Sequence, residues 1–408
     1  MKNLIAFISL SLVGISCFSQ VLFDKKVLLT GSGAQGKVEG VREVADSFDA
    51  VNKLYVDTAI ANRTSASDGG GQCVFIPSIT PPAGYYFTGF SQELSGNGQN
   101  YTVKATYPRP RKLIRAISWG NDSLYTFGHE IISGSSSDNQ IWYRYRPSQN
   151  SWVQMNPNQP SGVPYVRYSL EQVNDRIYII QGHLDNTCAP TNFMWEFNPQ
   201  NNVFTARANP PIHTASPATA VANGKIYVFG GNSTCNSFGG GFRQEAYEYN
   251  PISNTWTQRA NLPVAAGGQI AETVNGKIYI IGGSISGNSS TANVYEYNPS
   301  TNTYTSKSPL PVGRFDHASA VYNNKIYIFG GNEPSVNESR RVDIYDPATN
   351  TWTRGENLPA GRTQMTAVTM GNRIYLIGGS NGSSAYNTTW EYNPTQDTGP
   401  VFFMHCKP

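Results

Sequence analysis

Two glutamates occupy matching places in a repeated pattern. Counting back seven residues from a recurring tyrosine reaches Glu171 before Tyr178 and Glu272 before Tyr279, while the same slot holds Ser118, Ala220, Ala320 and Val368 elsewhere. On an inner strand such carboxyls must face a channel or be paired, since an unpaired buried carboxylate is costly. They would serve as an acid–base pair or as a solvated channel wall. Four arginines form the second set: Arg111, Arg167, Arg314 and Arg362 each follow a proline by three (Pro108, Pro164, Pro311, Pro359), which predicts that all four share one rim. Guanidinium groups there would grip carboxylates or sulfates, including those of acidic sugars, or brace the fold. The five histidines, His129, His183, His213, His317 and His405, are scattered without metal-ligand spacing, so no metal or other cofactor is expected.

These residues hang on a repeat. Tyr125, Tyr178, Tyr227, Tyr279, Tyr327 and Tyr375 recur at steps of 53, 49, 52, 48 and 48 residues, each beside aliphatic residues and ahead of a glycine turn. The unit reads most clearly as Asn275-Gly-Lys-Ile-Tyr-Ile-Ile-Gly-Gly283, then Val294-Tyr-Glu-Tyr-Asn-Pro299, then Tyr304, Leu310-Pro311 and Arg314. The aliphatic run is a short strand buried on both faces, the paired glycines let the backbone bend where a side chain would clash, and Asn-Pro turns the chain. Trp152, Phe204, Trp256, Tyr304 and Trp352 each follow their proline by five. A period near fifty signals repeated β-blades.

The double glycine, tyrosine and spaced tryptophan resemble the kelch family, whose repeats fold as four-stranded propeller blades. The resemblance spans roughly residues 100 to 400. It implies an all-β fold, a six-bladed kelch β-propeller with a short N-terminal helical or stalk segment, seven blades being the alternative. Gly128-His129 and Gln181-Gly182 replace Gly-Gly in the first two repeats. In the sixth, the place five after Pro394 is Gly399, so another segment must finish that blade. Tyr101 stands seven before Pro108, as Trp256, Tyr304 and Trp352 stand before their prolines, so Tyr101 to Ala105 is expected to close the ring as an outer strand. The rival closure uses Val401 to His405.

Ahead of the ring, an apolar run from Leu4 to Ile15 followed by Cys17-Phe-Ser19 reads as a signal peptide over 1–19, which predicts a secreted, periplasmic or cell-surface location. Residues 20–72 form an N-terminal stalk-like segment and linker, and 73–408 the propeller. The stretch Asp49 to Asp57 resembles an element of trimeric tail fibres and surface stalks, implying a homotrimer through 38–63; the alternative is a monomeric helix. Export would leave Cys73, Cys188, Cys235 and Cys406 in an oxidising compartment. Cys188 and Cys235 follow glycine turns in neighbouring repeats, and Cys73 and Cys406 flank the ring, so these pairs are expected as disulfides.

Charged residues make up 14% of the chain, aromatic residues 12%, and the net charge is +3, too small for nucleic-acid binding by bulk electrostatics. No other apolar run approaches membrane-spanning length, so no transmembrane anchor is expected. Three functions compete. The first is an exported scaffold binding a protein or glycan, without enzymatic activity. The second is a carbohydrate-active propeller similar to the sialic-acid mutarotases, with Glu171, Glu272 and the arginines converging. The third is a structural module of a trimeric surface appendage.

Overall fold

In the computed structural model the described residues are 100–127, 141–155, 166–183, 190–234, 241–286 and 289–396, with the backbone of six two-residue strands outside them. The cysteines Cys73, Cys188, Cys235 and Cys406, the 38–63 segment and the Gly128-His129 turn lie outside the described residues. The chain divides into two compact units, 98–397 and 1–97 with 398–408. In the second unit Phe402–Phe403 pairs with Phe75–Ile76.

The first unit holds six four-stranded antiparallel sheets, one per repeat. In blade four the strands are Ile270–Val274, Lys277–Ile281, Val294–Asn298 and Thr303–Ser306, running from the channel outward. Blade six takes its outermost strand from the other end of the unit: Tyr101–Val103 pairs with Thr389–Tyr392 in the register Tyr392 to Tyr101 and Trp390 to Val103. The ring is thereby closed by the strand the tyrosine spacing predicts.

In four blades the repeated aromatic residue and an asparagine two places before it clasp the blade to the one before. Asn150, Asn254, Asn302 and Asn350 take left-handed turns. Their Oδ1 atoms accept from the phenols of Tyr145, Tyr249, Tyr297 and Tyr345, and from the backbone N–H of Ala105, Ala208, Ala260 and Ser308, all at 2.7–2.9 Å. Trp152, Trp256 and Trp352 donate Nε1–H to the carbonyls of Ala105, Ala208 and Ser308, and the Tyr304 phenol donates to Ala260. Tyr101 supplies the same bond for blade six, donating to the Glu356 carbonyl at 3.0 Å. Phe204 in blade two has no donor, and its ring packs instead on Phe197 and Trp142 at centroid distances of 4.9 and 4.8 Å.

Four of the six tyrosines that define the repeat do more than fill the core. Tyr178, Tyr227, Tyr279 and Tyr375 donate their hydroxyls to Glu196, Glu248, Glu296 and Glu391 at 2.7–2.9 Å. Each of those glutamates also meets a cation: Arg207 at 3.0 Å, Lys225 at 2.6 Å, Lys307 at 2.8 Å and Lys104 at 3.1 Å respectively.

The glycine turns join the blades at the opposite end. The second turn residue donates its N–H across the joint: Gly283 to Arg314, Gly331 to Arg362 and Gly379 to Arg111, at 2.8–2.9 Å. In blade two Gln181 takes the place of the first glycine at φ 53° and spends its Nε2–H on the Ile212 carbonyl, so this turn follows the common pattern. At Gly330 φ is +60° and an added Cβ would lie 2.3 Å from the Arg362 carbonyl, whereas at Gly276, φ +74°, nothing lies within 4 Å. Gly330→Ala is therefore expected to cost about 3 kcal/mol or more and Gly276→Ala about 1 kcal/mol, the left-handed penalty alone. Urea titrations of both variants check the difference; equal losses would contradict the steric account.

Candidate functional site

The six innermost strands wall a channel of about 430 Å³. Two residues before each of those strands, the backbone turns into the left-handed region, at Leu113, Arg167, Ser216, Gly268, Asp316 and Gln364, with φ of 55°, 55°, 49°, 65°, 52° and 57°. Neighbouring members bond through the backbone: Leu113 donates to Gln364, Gln364 to Asp316, Asp316 to Gly268 and Ser216 to Arg167, at 2.8–3.0 Å. This collar frames one mouth of the channel. Because the first two strands of a blade are antiparallel, the variable loops after the glycine turns open on the same face. Asn100 and Asn393, joined by a 2.8 Å backbone bond where the chain leaves blade six, lie at the opposite end of the strands.

The arginines separate into two groups. Arg111, Arg314 and Arg362 are equivalent, each preceding the collar by two residues, and only 0–3% of each is exposed. Arg314 is bonded to Asp343 and lies 3.5 Å from Glu333. Burial pushes its pKa down to about 9, with Arg341 adding repulsion and Glu333 opposing. Arg362 lies over the Tyr386 and Trp390 rings at 3.4 and 4.6 Å and donates to the Gly361 carbonyl at 3.0 Å. The backbone of Arg111 bridges to Tyr386. These three brace the blade joints. Arg167 is out of step with them: it stands in the collar itself, half-buried, within electrostatic reach of Arg115. The expected single rim of four thus becomes three braces and one residue at the mouth. The spacing from proline misplaces Arg167 because the loop before blade two differs in length.

Arg115 was not among the arginines that the proline spacing marks, yet it lines the channel at the first position of its inner strand. It donates to the Ile114 carbonyl at 3.2 Å. Burial lowers its pKa, while Tyr168 and the Asp316 carboxylate oppose the shift. Asp316 accepts from Gln364 Nε2 at 3.1 Å, completing a polar mouth.

Glu171 and Glu272 both line the channel, each the third residue of its inner strand and in register with Tyr178 and Tyr279. In blade one the residue in that register is Ile117, opposite Tyr125, because the hairpin there is one residue longer than the sequence count assumes. The Ser319 hydroxyl donates to Glu272 at 2.6 Å, and Thr219 hydrogen-bonds Glu171, so each carboxyl reaches the next blade. Both are half-buried in the channel wall. Burial pushes Glu171 up to about 8, with Thr219 opposing and Glu272 adding repulsion; it pushes Glu272 up to about 7, with Ser319 opposing. His317, 5% exposed, packs under the glycine turn of blade four, and burial followed by the Arg314 charge lowers its pKa to about 3. Among the described residues no cluster of three metal-ligating side chains occurs.

A carboxyl whose folded pKa is raised binds its proton more tightly in the native than in the unfolded chain, so its contribution is complete below about 4.5 and is lost as pH rises through 7 to 8. His317 acts oppositely, its neutral form costing stability as pH falls from 6.5 toward 3. The double variant Glu171→Gln, Glu272→Gln retains the histidine and removes the carboxyls. Its melting temperature relative to the parent is expected to rise by about 3 °C or more between pH 5 and 8.5, after discounting for the partial exposure of both carboxyls. A constant difference across that range would show that the carboxyls titrate normally.

The profile of the Attractin/LZTR1 β-propeller family matches residues 124–385, well over half of the chain. The chain belongs to this family. It is 41% identical over 70 residues to the N-acetylneuraminate epimerase of Pasteurella multocida, covering 16% of this chain and 18% of that one. It is 26% identical over 151 residues to human Kelch-like protein 35, covering 37% and 24%, and 27% identical over 153 residues to the Arabidopsis thaliana F-box/kelch-repeat protein SKIP30, covering 35% and 42%. These alignments span less than half the length of each curated relative. The solved structure of YjhT superposes with a TM-score of 0.61 at 17% identity, over 75% of this chain and 99% of that chain, a likeness of fold. Among the described residues no helix is long and apolar enough to cross a membrane.

Proposed function

We propose that this chain is an exported binding propeller that takes a carboxylate-bearing ligand, an acidic glycan or an acidic group of a protein, at the collared mouth of its channel. One observation carries the reading: Arg115 and Arg167 stand together at a mouth lined by Asp316 and Gln364, on the face that carries the variable loops. A guanidinium there offers forked donors that match a carboxylate, and the surrounding protein strengthens the interaction relative to open water. Export rests on the apolar run from Leu4 to Ile15.

A second reading is carbohydrate-active. It draws on Glu171 and Glu272 facing one channel with pKa values near neutrality, and on the stretch shared with an N-acetylneuraminate epimerase. A glycan array run beside a measurement of anomeric exchange by NMR separates the two. Binding of acidic glycans without faster exchange is the expected result, and Arg115→Ala should weaken it at least tenfold, since a hydrogen bond to a charged group contributes about 1.5–3 kcal/mol. Faster exchange abolished by Glu171→Gln would favour the second reading. An array on which neutral and acidic glycans bind alike would count against the mouth arginines.

A further inference from the structure

Six glutamates lie along the second-strand tyrosine register or opposite it, and they are not treated alike. The four on the blade faces, Glu196, Glu248, Glu296 and Glu391, each meet a lysine or arginine at 2.6–3.1 Å. Among the described residues the two in the channel meet none: Glu171 has the Thr219 hydroxyl and Glu272 the Ser319 hydroxyl. Two carboxyls that repel one another across a channel, with hydroxyls as their partners, leave a cationic partner to be supplied from outside. Among the described residues the other titratable groups lining the channel are Arg115, the Asp316 carboxylate beside it at the mouth and His317, which burial holds neutral, since Tyr178 and Tyr279, in register with the glutamates, direct their hydroxyls to Glu196 and Glu296.

The placement along the channel is ordered. Arg115 is the first residue of its inner strand, whereas Glu171 and Glu272 are third in theirs. At about 3.4 Å per residue the backbone positions of the two glutamates lie about 7 Å deeper along the strands than that of Arg115. A carboxylate and an amine joined by five extended carbon atoms span a similar distance, and a channel of about 430 Å³ has room for such a molecule.

We propose that the channel binds a zwitterion whose carboxylate meets Arg115 at the mouth and whose ammonium group descends to the carboxyls of Glu171 and Glu272. This rests on the assignment of the mouth to a carboxylate and adds the second, deeper half of the site. A simple carboxylate would leave the two glutamates without a counter-charge, and a simple amine would have to pass the guanidinium, which repels it, with no anionic group of its own to place there. The zwitterion satisfies both layers, which gives the site a preference for one spacing of charges.

The test uses three probes on the full chain by isothermal titration: 6-aminohexanoate, hexanoate and pentylamine. 6-Aminohexanoate is expected to bind at least tenfold more tightly than either single-charge probe. Binding at pH 7 should release protons, seen as a dependence of the heat on buffer ionisation enthalpy, because the ammonium draws Glu171 into its charged form. Glu171→Gln with Glu272→Gln should erase the advantage over hexanoate and the proton release together. Equal affinity for hexanoate and 6-aminohexanoate would overturn the zwitterion while leaving the carboxylate at the mouth intact. No binding by any probe to folded protein would overturn the zwitterion of this spacing, and the glycan array then decides the mouth independently.

Discussion

Deleting residues 100–108 is expected to abolish cooperative folding of the ring. The segment supplies the outermost strand of blade six, and Tyr101 both donates to the Glu356 carbonyl and packs on Tyr392 at a centroid distance of 4.9 Å. Lys104 pairs with Glu391 at 3.1 Å, and Ala105 offers the carbonyl that Trp152 of blade one requires. Tyr107 is fully buried against Tyr143 and Trp152. Loss of one buried aromatic side chain costs about 3–5 kcal/mol, and here two blade joints fail at once. The sum reaches the whole stability of an ordinary domain, about 5–15 kcal/mol. Circular dichroism and calorimetry of the deletion should show no cooperative transition, while Val103→Thr, at a position 70% exposed, should melt like the parent. A deletion variant with the parent's melting curve would mean that another segment closes blade six.

Arg314→Leu is expected to destabilise the protein by about 3–5 kcal/mol, because it strands Asp343, 1% exposed, without its fully buried partner. Arg341, at 2.7 Å from Asp343, is the remaining cation and sets how much of the loss is recovered. The double variant Arg314→Leu, Asp343→Leu should regain much of the loss, since an apolar pair of similar volume removes the uncompensated charge. By contrast Arg115→Ala, at the partly exposed channel mouth, should change stability by less than about 1 kcal/mol while weakening ligand binding at least tenfold. Denaturant titration of the four proteins checks both statements. Stability lost equally on changing Arg115 and Arg314 would erase the distinction between the mouth and the braces.

The repeat determines a great deal by itself. Tyrosine spacing, paired glycines and the aromatic residue five after the proline in five of the repeats favour six blades over seven, because each residue acts locally: a left-handed turn, a buried strand, a ring seated on the neighbouring blade. Even the closing strand is legible, since Tyr101 keeps the distance to its proline that Trp256, Tyr304 and Trp352 keep to theirs. Glu171 and Glu272 are legible for the same reason, as they count back from tyrosines on a hairpin of constant length. The site around them is not. Ser118 gives way to Ile117 and Arg167 falls out of step with Arg111, Arg314 and Arg362 wherever a turn or loop gains or loses residues, which a fixed count cannot see. The collar of Leu113, Arg167, Ser216, Gly268, Asp316 and Gln364 has no common residue type, because its members are joined by backbone bonds across blades and their side chains are left free to vary. Which charges meet at the mouth, and which carboxyls lie beneath them without a cation among the described residues, is decided only when the ring closes and brings distant strands around one axis.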